Sequence, residues 1–183
     1  YSSDEQFFRA AEKLLFEEYP YPKLLPEKET VIGIPRVLSY WETMPFWTTF
    51  FRSLGYQVQI SDKSTRKIYE SGLSAVTSDT VCFPAKLVHG HIRNLAEHHV
   101  DRIFMPTITT VSSENTASTS ESMCAIVKGY PIVIRNSDNP EKRFHIPFDA
   151  PLFHWYRTED RNRQLTAYMK DTFDISPDIT KKA

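Results

Sequence analysis

Val31-Ile32-Gly33-Ile34, closed by Pro35, is a short apolar run of the kind that a strand buried on both faces requires. Residues 45–54 follow as a helix: Pro45 suits a first turn, and Phe46, Trp47, Phe50, Phe51 and Leu54 recur on one face. Gly55 then stands at the C′ position, where a left-handed residue ends a helix. Val58 and Ile60 belong to a second strand, and Ser64 and Gly72 bracket a short helix carrying Ile68 and Tyr69. From Ser78 the pattern repeats. Cys82 precedes Pro84, Ala85, Val88, Ile92 and Leu95 share a stripe, and Arg102-Ile103-Phe104-Met105 forms a third strand. Strands alternating with helices predict right-handed crossovers, hence an α/β fold with an open, mainly parallel sheet flanked by helices. Ligands of such sheets gather at the carboxyl edge, which directs attention to residues 35–44, 78–84 and 105–124.

Outward from this centre, Ser3 and Gln6 read as a capping box, and Phe7, Phe8, Ala11, Leu14 and Leu15 recur at helical spacing. Pro20, Pro22 and Pro26 make the following stretch a stiff connector. The expected division is a helical extension with connector over residues 1–29 and an α/β domain over 30–183, within a larger multidomain protein. On the other side, ten of the sixteen residues 107–122 are Ser or Thr, which predicts a long surface loop. Ala125-Ile126-Val127 is expected as a fourth strand, cut by Pro131 before Ile132-Val133-Ile134. Residues 144–153 suit an extended piece, and Thr158 is expected to cap a helix with Leu165, Tyr168 and Met169 inward.

With 183 residues, 40% of them hydrophobic, the chain can bury one substantial core. Its 22 basic and 23 acidic residues form no long run, so nothing points to nucleic acid or an anionic lipid surface. No apolar stretch reaches the roughly 20 residues of a membrane helix, and there is no signal-peptide pattern. Two cysteines are too few for a disulfide framework, so a reducing, cytoplasmic setting is expected. They are also too few for a self-contained zinc ribbon or conventional iron–sulfur cluster.

Cys82 sits where the N–H groups and dipole of the following helix favour a thiolate and metal ligation, although a packed, inert cysteine is the ordinary alternative. Cys124 lies at another junction, and convergence of the two is the simplest shared-site hypothesis. Lys86 falls one turn into the helix, near any anion held at its start, against the default of a solvated lysine. His89 and His91, two apart on a helix, make a poor metal pair and suit surface or buried hydrogen-bonding roles. His98 and His99 suit the helix C-terminus. No Ser-His-Asp pattern and no glycine-rich phosphate cradle is present, so the chain is not expected to hydrolyse nucleotides or to be catalytic on its own.

Three strings carry a resemblance: Ile32-Gly33-Ile34-Pro35-Arg36-Val37-Leu38 with Pro45-Phe46-Trp47 and Leu54-Gly55-Tyr56; residues 78–91 around Val81-Cys82-Phe83-Pro84-Ala85-Lys86; and Asp101-Arg102-Ile103-Phe104-Met105-Pro106, with Cys124 and Tyr130-Pro131 beyond. Over roughly residues 30–135 the chain resembles the accessory domain of CoA-enzyme activases, related to the activator of 2-hydroxyglutaryl-CoA dehydratase and to 2-hydroxyacyl-CoA dehydratase subunits. The resemblance implies an ATP-driven, low-potential electron-transfer system. Its partners would be an ATPase domain of the same parent protein, which alone would bind ATP, and a 2-hydroxyacyl-CoA dehydratase or related double-cubane protein. It also implies Cys82 and Cys124 as ligands of a [4Fe-4S] cluster. Relatives commonly place a third cysteine where this chain has Thr107, which is no soft ligand for iron. A retained three-ligand pocket would put Thr107 at the start of the loop after the third strand, facing Cys82. The alternative is a cluster-free scaffold or docking domain.

Overall fold

A computed structural model describes residues 3–111 and 122–183. Its centre is a four-stranded parallel sheet built from β1 (Val31–Ile34), β2 (Gln57–Ile60), β3 (Arg102–Phe104) and β5 (Phe148–Asp149), in the order β2-β1-β3-β5. Ile32 and Ile34 of β1 are wholly buried, as a central strand covered on both faces must be. The expected α/β class is therefore what the chain adopts: an open parallel sheet flanked by helices, with an N-terminal helix. The edge pair does not stop at Phe104. After Pro106 the chain continues as β4 (Thr107–Val111), and after Pro151 as β6 (Leu152–Trp155), again paired in parallel. The ladder runs through both prolines, because Met105 N–H bonds to the Asp149 carbonyl at 2.8 Å and Thr107 N–H to the Pro151 carbonyl at 2.8 Å.

This corrects one expectation. The first five residues of the Ser/Thr-rich stretch are not loop but strand, since threonine is a good strand former and Pro151 presents an acceptor to the Thr107 N–H. Residues 112–121 of that stretch lie outside the described residues.

The helix expected at Pro45 is α2 (Tyr40–Ser53), which starts a turn earlier and carries Pro45 inside it. Trp47, Phe50, Phe51 and Leu54 are buried, whereas Phe46 is only half-buried, stacked on Phe50 and edge-on to Trp155. Trp47 meets Phe104 at 4.7 Å and Trp155 at 5.1 Å between ring centres, so one aromatic layer joins α2 to β3 and β6. Each such ring removed from water contributes about 1.5–3 kcal/mol. Gly55 is left-handed at φ 86°, as expected of a residue ending that helix.

α3 (Arg66–Gly72) is capped by the Thr65 hydroxyl, and not by Ser64. It crosses α4 (Phe83–Glu97) so closely that a Cβ on Gly90 would lie 1.9 Å from the Ile68 carbonyl oxygen. The glycine between His89 and His91 thus serves a backbone crossing that no side chain could enter.

The predicted fourth strand is instead α5 (Ala125–Ser137), with Pro131 within it. Tyr130 and Ile134, four residues apart, are buried on its inner stripe. Burial against the domain outweighs the strand preference of Ile126, Val127, Ile132 and Val133. α6 (Pro140–Phe144) follows, and α7 (Thr158–Phe173) buries Leu165 and Met169 as expected.

α1 (Ser3–Phe16) is the expected helix, although the capping side chain of Ser3 lies outside the described residues. Only part of its apolar stripe turns inward. Phe7, Phe8 and Leu14 remain 69%, 69% and 58% exposed, while Ala11, Glu12, Leu15 and Phe16 face the domain, half-buried. Among the described residues, no helix is long and apolar enough to cross a membrane.

Candidate functional site

α4 links two parallel strands, running back from the carboxyl to the amino end of the sheet, so its N-terminus stands at the carboxyl edge. Cys82 is its N-cap residue, in extended conformation, with Pro84 just inside the helix as the sequence predicted. Cys124 is the N-cap residue of α5, a helix start where a strand start was expected. Both thiols are free and exposed. A cleft of about 170 Å³ lies between these helix starts, lined by Ser78 and Val81 on one side and by Ala125, Ile126, Tyr130 and Val133 on the other. Val81 adjoins Cys82 and Ala125 adjoins Cys124, although neither cysteine itself lines the cleft.

Behind the cleft lies a buried polar chain. The Asp138 carboxylate is wholly buried, accepts hydrogen bonds from His89 Nδ1 at 2.7 Å and Arg93 Nη1 at 2.8 Å, and forms an ion pair with Arg143 Nε at 2.5 Å. A carboxylate can only accept, so Nδ1 carries the histidine proton. In the neutral ring Nε2 then accepts from the Tyr130 hydroxyl, 3.0 Å away. Burial would raise the Asp138 carboxyl, but hydrogen bonds from His89 and Arg93, with the Arg93 charge, hold it below its usual range. Burial first, then the charges of Cys82 and Asp138, push the Tyr130 phenol up to about 12. The phenol therefore lines the cleft as a neutral hydrogen-bonding group, and the chain behind it ties α4, α5 and α6 together. Tyr130 and Asp138 lie 41 and 49 positions from His89, too far for any sequence pattern to pair them.

Lys86 donates from Nζ to the Asp79 carbonyl at 2.8 Å, bracing the turn before Cys82. Thr107 is buried at the start of β4, where a loop was expected. His91 is buried between the hydroxyls of Ser61 and Ser64, at 2.8 and 2.9 Å, so both helix histidines fulfil the buried hydrogen-bonding reading.

Over residues 31–183 the chain matches the family model of the CoA enzyme activase uncharacterised domain (DUF2229). The chain belongs to this family. Comparison with curated proteins and with solved structures gives no match.

The activase domain seen here does not fit a [4Fe-4S] cluster by its own residues. Conventional clusters of this type take four thiolates, and the whole chain holds two. Among the described residues no three His, Cys, Asp or Glu side chains come together as a metal site. Thr107 offers a buried hydroxyl oxygen, a poor partner for a thiolate-bound iron. What the chain presents here is two exposed thiols, each at a helix N-cap, with their chain neighbours Val81 and Ala125 lining a mostly apolar cleft.

Proposed function

We propose that the chain is an accessory docking domain of a CoA-enzyme activase system. In this reading the parent protein couples an ATPase domain to low-potential electron delivery in the cytoplasm, and its partner is a 2-hydroxyacyl-CoA dehydratase or related double-cubane protein. The domain contributes contact surface and holds no [4Fe-4S] cluster of its own. One observation carries this: Cys82 and Cys124 are exposed at the starts of two helices whose neighbouring residues line one cleft, and among the described residues no group of three His, Cys, Asp or Glu side chains is placed to hold a metal.

Anaerobic reconstitution of the chain with iron and sulfide tests it. The docking reading expects no stoichiometric iron and no sulfur-to-iron charge-transfer absorption. Stoichiometric absorption that vanishes in Cys82→Ala would replace it with a redox module. A second reading is favoured by the exposure of both thiols: the two cysteines supply half of a ligand set that a partner completes. It expects iron uptake only when the partner protein is present.

A further inference from the structure

Arg36 lies two residues beyond β1, the strand that stands between β2 and β3 in the sheet. This is the carboxyl-edge position at which open parallel sheets collect ligands. Only 8% of the Arg36 side chain is exposed, and its Nε–H has no hydrogen-bond partner. Its backbone N–H bonds to the Ser61 hydroxyl at 2.8 Å, which fixes the start of the loop. The guanidinium lies over Phe16 at 3.6 Å and near Trp41 at 4.9 Å, two rings held edge to face. A second cation, Lys63, follows β2. The two converge on one carboxylate: Glu12 of α1 accepts from Arg36 Nη2 through one oxygen and from Lys63 Nζ, at 2.8 Å, through the other.

One face of the helix that supplies this carboxylate is uncovered, with Phe7, Phe8 and Leu14 exposed. The helix also lies outside the span matched by the family, which starts at residue 31, whereas Arg36 and Lys63 lie inside it. Burying a guanidinium with an unpaired N–H is costly, and a helix needing only a surface tie could use Lys63 alone. The arrangement is that of a binding site with an occupant.

We propose that Arg36 and Lys63 form an oxyanion-binding site at the carboxyl ends of β1 and β2, and that Glu12 occupies it as an internal substitute for a ligand's phosphate or carboxylate group. A planar guanidinium fork beside a point-charge ammonium suits either oxyanion. Displacement of α1 opens the site, and refilling by Glu12 closes it.

The test is calorimetric titration of the full chain, at low ionic strength, with inorganic pyrophosphate and separately with malonate. The unchanged chain should bind both weakly. Glu12→Gln removes the competing charge and should tighten binding of one or both at least tenfold, and the preferred probe tells phosphate from carboxylate. Adding Lys63→Gln, at a largely exposed position that folding tolerates, should reverse the gain, and Arg36→Lys should do so if that variant folds. Glu12→Gln binding neither probe more tightly than the unchanged chain would overturn the proposal. So would a gain that Lys63→Gln leaves intact.

Discussion

The cleft between α4 and α5 and the joint beneath α1 follow opposite plans. Around the cleft the thiols face solvent, the walls are mostly apolar, and charge is settled out of sight: Asp138 has three cationic or hydrogen-bonding neighbours and Tyr130 is kept neutral. Beneath α1, two cations from the domain meet one acid from a segment outside the matched span, and an N–H of Arg36 is left over. The first region is closed in its electrostatics and open only in its thiols. The second is balanced by an acid supplied from α1, outside the matched span. The residues that draw the eye in the sequence, the cysteines, belong to the first region, whereas the second turns on Arg36, whose partners Glu12 and Lys63 come from elsewhere in the chain.

The largest effect separating the two regions is expected at Asp138. Asp138→Asn leaves Arg93 and Arg143 without their buried countercharge and should destabilise the chain by about 3–5 kcal/mol in chemical denaturation. A loss near zero would mean that the polar chain behind the cleft is solvent-relaxed, and the contrast would collapse.

The next effect concerns pH. Burial first, then the charge of Arg36, lowers the His91 pKa to about 4, against the opposing pull of Asp62. His91 is thus neutral when folded at pH values where the unfolded chain binds a proton. Its contribution is complete above the ordinary histidine pKa of about 6.5 and is lost as pH falls to about 4, which amounts to roughly 3 kcal/mol. Denaturation midpoints measured across that window should fall with acidification, and His91→Gln should flatten the slope. A slope unchanged in His91→Gln would assign the loss to other groups.

How much of this contrast a reader of the sequence can foresee depends on the range of the forces involved. β1, α4 and α7 are legible because short apolar runs, Pro84 and i, i+4 stripes act within one element. α5 is not, because Ile126, Val127, Ile132 and Val133 favour a strand locally and only the burial of Tyr130 and Ile134 against the domain decides otherwise. β4 is hidden by its Ser/Thr composition, since the acceptor for Thr107 lies on Pro151, far along the chain. At the candidate site, the helix-start position of Cys82 was readable from Pro84. The settings of Arg36, with Glu12 24 residues earlier, and of His89 were not, because their partners are brought by the tertiary fold.

The smallest stability effect belongs to the cysteines. Cys82→Ser and Cys124→Ser should each change stability by no more than about 0.5 kcal/mol, since both thiols are exposed. A larger loss would place the thiols in the supporting structure of the cleft.

The docking reading requires that this activase-family domain lack a cluster pocket, and not merely one ligand of it. Anaerobic reconstitution of Thr107→Cys beside the unchanged chain tests this most directly. With Thr107 buried in β4 and both native thiols exposed, equal and negligible iron and sulfide incorporation is predicted for the two proteins. Uptake by Thr107→Cys of about four irons and four sulfides per chain, against little in the unchanged protein, would show an intact three-cysteine pocket and contradict the docking reading.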